Sequence, residues 1–312
     1  MTVRAGRKLR FRLKPVAPFR LDFTAWALRR RPHNQIDLFD NGTYRRTLSV
    51  GPICTSVAIR QTRGCENPEI EVVAGGHPSI RDLRREIEST IIRMLGLDRD
   101  LSDFYRVARA DRRLSKLAER LRGFKPVRFP TNFEAFTNAV ACQLVSLTAG
   151  LHVVNRIAAR YGRIVGEDDS RSRAFPDASA IAAASADDLR TLGLSRSKGR
   201  YLIGIAEQAS RASDRDFASI QELDDKAAAD ALCAMPGVGR WTAEYVMLRG
   251  FGRVDIFPGD DVGGRNSLCK WLEIDPNIGY EDVRRLMRPW SDWGGLVYMH
   301  LLVAALADRG VV

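Results

Sequence analysis

Apolar and polar positions alternate in short runs over the first quarter of the chain and follow a helical period over the rest. In the first part, residues 35–40 form a strand candidate, Asn41-Gly42 is a hairpin turn signal, and residues 43–50 return. Residues 53–61 and 69–73 supply two further strands, and residues 21–30 a short helix. From Ile80 the period changes: Leu83, Ile87, Ile91, Ile92 and Leu95 recur at helical spacing. A second helix is expected over 114–121, and Pro126 to Pro130 makes an extended link. Thr131-Asn132-Phe133-Glu134 predicts a capping box, with Phe133, Phe136, Val140, Leu144 and Leu147 as one buried stripe behind it. Residues 178–194 hold two short helices, the second opened by Ser185 with Asp188 three residues on. A turn at 192–198 leads into a helix beginning near Gly199, and its Arg196 or Lys198 could reach a phosphate.

The expected fold class is therefore α+β: a small N-terminal antiparallel-sheet subdomain over 15–79, then a helical region over 80–312. At 312 residues the chain exceeds one comfortable core, so the helical part should divide into two subdomains with a cleft between them. Residues 1–14, with Arg4, Arg7, Lys8, Arg10, Arg12 and Lys14, read as a basic disordered tail or as a sequence-blind phosphate contact. His33 and His77 read as solvated loop histidines.

Charge changes the picture from fold to partner. The net charge of +11 favours a polyanion. Five scattered cysteines (Cys54, Cys65, Cys142, Cys233, Cys269) without a C-x-x-C pair fit a reducing, cytoplasmic setting and offer no disulfide framework. No run of 18 apolar residues occurs, so no membrane span is expected. With no metal-ligand spacing and no phosphate-binding loop of the nucleotide type, neither a catalytic metal nor a nucleotide cofactor is expected.

Chemistry concentrates in residues 232–265, LCAMPGVGRWTAEYVMLRGFGRVDIFPGDDVGGR. An apolar helix ends at Pro236-Gly237-Val238-Gly239 and a second begins at once through Trp241, Ala243, Tyr245, Val246 and Leu248. Glycines flanking one apolar residue let the backbone turn through positive φ, and the new helix then presents free N–H groups to an anion. A phosphodiester fits such a site without base identity. Asp260-Asp261 follows at the mouth of a Gly-rich turn.

This stretch resembles the helix-hairpin-helix DNA glycosylase superfamily, and within it the alkylpurine branch of the 3-methyladenine DNA glycosylase II type. PGVGRWTAEY, LRGFG and FPGDD, with ACQLVS earlier and RPW later, stand in the order of that branch over residues 15–305. The resemblance implies base excision repair: a damaged purine is flipped out of duplex DNA and its N-glycosidic bond hydrolysed. It assigns the catalytic carboxylate to Asp261, beneath the sugar, where developing positive charge needs it. Asp260 is then left to cap the following helix. Trp241, Tyr245 and Met299 take the positions of the base pocket, Met299 standing where the branch has another aromatic, with Tyr298 and His300 beside it. Gln143 and Leu144 take the positions that push into the duplex, although periodicity alone would make Leu144 a core residue. Gly237, Val238, Gly239, Arg240 and Thr242 take the phosphate-binding positions.

Bifunctional relatives carry a nucleophilic lysine four residues after the Pro-Gly; here Trp241 stands there, which implies a monofunctional enzyme using water. Relatives also imply a structural Na+ or K+ on the backbone carbonyls of Cys233, Met235 and Val238. No cysteine cluster stands at the C-terminus, so no iron–sulfur cluster is expected. The expected partner is damaged double-stranded DNA, met as a monomer, in a nucleoid-associated cytosolic setting. The alternatives are the same fold acting on oxidised or deaminated bases, and a catalytically silent damage-binding protein.

Overall fold

In the computed structural model, residues 8–51, 53–75, 83–165, 172–211 and 216–311 are described; His77 and Ile80 lie outside them. One five-stranded antiparallel sheet is built from β1 (Leu9–Leu13), β2 (Leu38–Asp40), β3 (Thr43–Val50), β4 (Ile53–Gln61) and β5 (Ile70–Gly75), in the order β1-β5-β4-β3-β2. The Asn41-Gly42 hairpin forms as expected, with both residues at positive φ. Of the segment expected as a disordered tail, Leu9–Leu13 is instead the edge strand β1, paired Leu9↔Ala74 to Leu13↔Ile70, and residues 1–7 lie outside the described residues. Phe11 and Leu13 enter the core while Arg10 and Arg12 face Glu71 and Glu69, so the basic residues occupy the outward half of an alternation. The strand expected from residue 35 begins only at Leu38. The N–H groups of Ile36 and Asp37 donate to the Asn34 side chain at 2.8 and 3.1 Å, and that of Gln35 to Asn155 at 3.1 Å. No ladder donors remain there.

Apart from the short antiparallel pair β6 (Ile164–Val165) and β7 (Ser172–Arg173), the remaining elements are helices: α1 (Leu21–Arg29), α2 (Arg84–Leu95), α3 (Ser102–Ala110), α4 (Arg112–Arg120), α5 (Asn132–Cys142), α6 (Leu147–Tyr161), α7 (Ala178–Ala182) and α8 (Ala186–Thr191). They continue with α9 (Arg196–Ala209), α10 (Ala218–Gln221), α11 (Asp225–Cys233), α12 (Arg240–Val246), α13 (Val262–Leu272), α14 (Tyr280–Met287) and α15 (Gly294–Ala307). Thr131 caps α5 as expected, its hydroxyl accepting from Glu134 N–H at 3.1 Å. The reciprocal half of the box is absent. The Glu134 carboxylate is buried against Arg46 at 2.5 Å, and Asp216 accepts from the N–H groups of Asn132 and Phe133 at 2.9 and 2.8 Å. Arg46 also binds Asp37 at 2.7 Å, so one buried guanidinium ties the sheet to α5. Helix α9 begins at Arg196 rather than near Gly199, capped by Ser195.

Packing divides the molecule differently from the expected 15–79 and 80–312. One core joins the sheet to α1 through α4 and to α13 through α15; the other is built from α5 to α12. The chain thus crosses into the second core after Val127 and returns after Phe251, which brings its two ends onto the same side of a cleft. Among the described residues no helix is long and apolar enough to cross a membrane.

Candidate active site

A cavity of ≈ 1220 Å³ opens between the two cores. Its walls are α1, the turn after α5, the α11–α12 hairpin, the start of α13, and α15. Asp261, Trp241, Tyr245 and Met299 all line it, as does Tyr298. The sequence therefore brings together residues up to 58 positions apart through one fold feature: α12 and α15 face each other across α13's N-terminus.

Asp261 is fixed at both oxygens. Its Oδ1 accepts from Gly264 N–H at 2.6 Å, so Asp261, and not Asp260, caps α13. Its Oδ2 accepts from the Trp241 indole N–H at 3.1 Å. Asp260 is turned away into an ion pair with Arg240 at 2.7 Å. The cause of this exchange is the start of α13 at Val262, which makes the residue immediately before it the N-cap. Gly264 has to be small: a Cβ there would lie 2.5 Å from the Tyr298 ring. Behind the loop, buried Glu244 accepts from Gly259 N–H at 3.0 Å and from the Tyr280 hydroxyl at 2.6 Å, and burial raises its pKa.

The hairpin forms, with Gly237 but not Gly239 at positive φ. Gly237 sits at φ 80° with the Tyr201 ring 2.2 Å from where a Cβ would be. Gly239 is the N-cap of α12, with open space around it. Val238 buries its side chain and donates its N–H to Met235 C=O at 3.1 Å. Two assigned phosphate side chains are otherwise occupied: Arg240 is bound to Asp260 and lies 3.5 Å over the Tyr280 ring, and Thr242 is buried. What the hairpin can offer an anion is backbone N–H.

Leu144 is not on a helix and not in a core. Helix α5 ends at Cys142, and Leu144 stands at φ 55° with its side chain fully exposed (103%) at the cavity rim, beside exposed Val145. The buried stripe predicted through Leu144 stops at Val140, and Leu147 belongs to α6. Gln143, assigned with Leu144 to the duplex, instead braces the hairpin: its amide donates to Gly237 C=O and to the Thr242 hydroxyl, each at 2.9 Å. Lys198 donates to Gln143 C=O at 2.6 Å and Arg196 pairs with Asp187, so neither is the free phosphate contact considered above.

An exposed leucine on a strained turn, a glycine hairpin and a doubly held aspartate thus share one cleft. The family model for HhH-GPD superfamily base excision DNA repair proteins matches residues 138–292. Among curated relatives, a DNA-3-methyladenine glycosylase of Bacillus subtilis is 25% identical over 84% of this chain and 86% of its own. DNA-3-methyladenine glycosylase 2 of Escherichia coli is 30% identical over 54% of this chain and 56% of its own. A solved 3-methyladenine DNA-glycosylase from Archaeoglobus fulgidus superposes with a TM-score of 0.81 over 96% of this chain and 98% of its own, at 23% identity. An 8-oxoguanine glycosylase/lyase of Clostridium acetobutylicum shares the fold at a TM-score of 0.72 and 16% identity, over 97% and 99% of the two chains. The chain belongs to the HhH-GPD superfamily of base excision DNA repair proteins. It is a DNA glycosylase of the helix-hairpin-helix type.

In this glycosylase the pocket is wider than the sequence assigned. The Trp241 and Tyr245 rings stack at 5.5 Å between centroids and 29° between planes. Met299 is buried in the wall beside Tyr298, whereas His300 points into the first core against Phe104 and Phe124. Trp26 and Arg30 of the α1 region also line the cavity, so the N-terminal part supplies one wall. Arg30 donates to the Tyr245 hydroxyl at 3.3 Å and to Asn138 at 2.5 Å; Arg249 donates to Ala27 C=O at 3.2 Å. Burial raises the Tyr245 pKa, which these two guanidinium groups oppose. No local pattern announces Arg30, since its partner Tyr245 lies 215 positions away. Among the described residues no three His, Cys, Asp or Glu side chains group as a metal site.

Proposed function

We propose that this glycosylase is monofunctional and hydrolyses the N-glycosidic bond of alkylated purines in duplex DNA, with Asp261 as its catalytic carboxylate. The observation that carries the reading is the two-point clamp on Asp261 by Gly264 N–H and the Trp241 indole. A carboxylate held this way needs no reorganisation when positive charge develops on the sugar, and it can orient the attacking water. The indole that holds it also occupies the place where a lyase would carry its amine, so water is the nucleophile.

Trp241 and Tyr245 present stacked, electron-rich faces to the flipped base, an attraction of about 1–2 kcal/mol for a cationic methylated purine. Leu144 fills the gap the base leaves. The backbone N–H groups at Gly239 and the first turn of α12 bind the phosphodiester. The carbonyls of Cys233, Met235 and Val238 close the turn at the negative end of α11, a donor set suited to Na+ or K+, which would draw the phosphate in. No further cofactor enters the mechanism, and one copy of the chain suffices for it.

Excision from a duplex carrying 3-methyladenine tests the reading, with wild type compared to Asp261→Asn. Free base from wild type and a rate reduced by about 10² or more in the variant is expected. Asparagine also caps helices, so melting temperature should hold within about 2 °C. A borohydride-trapped protein–DNA adduct would refute the water mechanism.

A further inference from the structure

A second cavity, of ≈ 220 Å³, lies where the chain crosses between the two cores. Its walls are the end of α2, the turn that follows, and the link at Pro126 and Arg128, and it shares no lining residue with the larger cavity. Arg93, Arg99 and Arg128 all line it. The three converge on the end of the π-type turn Met247–Phe251 that prolongs α12. Arg128 donates through Nε and Nη2 to Gly250 C=O at 2.9 and 2.7 Å, Arg93 to the same carbonyl at 2.9 Å, and Arg99 to Gly252 C=O at 3.4 Å. Arg93 also reaches Phe129 C=O and Asn132 Oδ1, at 3.1 and 2.6 Å. Two glycines at positive φ make room for this arrangement. A Cβ on Gly252 would lie 2.7 Å from Arg128 Cδ, and one on Gly96 2.7 Å from the Pro126 carbonyl oxygen.

Every one of these bonds ends on a neutral oxygen. A helix end carries about half a negative charge, which one arginine would balance. Here there are three, and among the described residues none makes an ion pair and the Nη1 of each makes no hydrogen bond. Asp98 borders the cavity but is exposed, and Asp216 is held by the N–H groups of Asn132 and Phe133. The Arg128 pKa is pushed down to about 9 by burial and then by Arg93 and Arg99, which Asp98 and Asp216 offset only in part. Lys125 is buried beside them, its ammonium on Arg99 C=O at 2.6 Å and its pKa pushed down to about 8 by desolvation. An anion in the cavity would favour all of these charges at once. We propose that this cavity is an oxyanion site, taking one phosphate group on Arg93, Arg99 and Arg128. Four acceptor oxygens match three guanidinium forks and the Ser89 hydroxyl in the lining. The volume is below the about 300–1,000 Å³ of sites for drug-sized molecules, so the cavity holds the phosphate and not the rest of a nucleotide. A phosphate here ties α2 of the first core to the end of α12 in the second, and so fixes the crossing on which the cleft is built without touching Asp261.

Calorimetric titration of inorganic phosphate into the full chain, at an ionic strength held constant with sodium chloride, tests the proposal. One phosphate per chain is expected, with a Kd of about 1 mM or below. Arg99→Met locates the site, because Arg99 is exposed and makes one long bond, so the fold does not depend on it. It should weaken binding about tenfold to a hundredfold, the factor a hydrogen bond to a charged group carries. Asp98→Asn removes the carboxylate in the lining and should tighten binding about twofold to fivefold. A dinucleotide carrying one phosphodiester is titrated in parallel. Binding of inorganic phosphate alone makes the free ion the ligand, whereas dinucleotide binding with the same response to Arg99→Met makes it a nucleic-acid backbone. Phosphate binding that Arg99→Met leaves unchanged would belong to the α12 hairpin and overturn the proposal. So would the lack of saturable binding of either ligand.

Discussion

Trp241→Phe isolates the hydrogen bond that distinguishes this site from a bare aspartate in a cleft. The substitution removes the indole N–H and keeps an aromatic ring where the stack on Tyr245 needs one. Asp261 Oδ1 stays with Gly264 N–H, but Oδ2 loses its protein donor and turns to water. A hydrogen bond to an ionised group contributes about 1.5–3 kcal/mol when dry, and this carboxylate is half-buried, so about 1–2 kcal/mol is the fair range. If that energy holds the carboxylate in its reactive place, the chemical step slows by roughly fivefold to thirtyfold.

Single-turnover excision under saturating enzyme reads this step alone, and duplex affinity is measured in parallel with Asp261→Asn as the inactive reference. The rate constant should fall within that range while affinity for an undamaged duplex holds within about twofold, since Trp241 takes no part in the phosphate contact. Trp241→Ala should be slower again, because it loses the ring as well. A Trp241→Phe enzyme as fast as wild type would show that Asp261 needs no second anchor. A loss confined to DNA affinity would place the indole on the duplex rather than on the carboxylate.

Leu144→Ala removes a side chain that touches no core, so melting temperature should be unchanged while excision falls about tenfold through the missing wedge; a lowered melting temperature with full activity would contradict this. Gly237→Ala places a methyl group into the Tyr201 ring at positive φ and should cost about 1–3 kcal/mol, with weakened duplex binding; calorimetry and a titration check both. His300 is buried with its pKa pushed down to about 4 by desolvation, so the folded state resists protonation that the unfolded chain accepts near pH 6.5. Stability from this residue is complete above that unfolded value and falls as pH drops toward 4, by about 2 kcal/mol at pH 5. Urea unfolding at pH 7 and pH 5 should show the loss, and His300→Phe should reduce it.

Much of the helical half was legible because its signals are local. Thr131 and Ser185 each open a helix, and the period through Ile87 and Ile91 marks a buried face. The misreadings have physical causes of the same scale. β1 escaped notice because Arg10 and Arg12 dominate the composition of a strand whose Phe11 and Leu13 carry the alternation. α3 was missed although Leu101, Phe104, Tyr105 and Ala108 fall at helical spacing. The exchange between Asp260 and Asp261 turns on one residue of helix start, the least certain quantity in a sequence reading. Gln143 and Leu144 looked like one pair but part at the end of α5, where a positive φ at Leu144 turns it outward and leaves Gln143 against the hairpin.

The arginines of the pocket were illegible for a different reason. Arg30 ends α1 of the sheet-bearing part, and Arg249 lies in the π-type turn Met247–Phe251 that follows α12. They meet only because the chain leaves the first core after Val127 and re-enters it after the hairpin helix. That crossing is also what puts Asp261 opposite Tyr298 and Met299. A residue whose role depends on such a closure carries no signature in its neighbours, whereas a cap or a turn does. The candidate site was therefore legible where it is made of a loop and a helix end. Its arginine-bearing wall was not, because that wall is shared by an early helix and the last one.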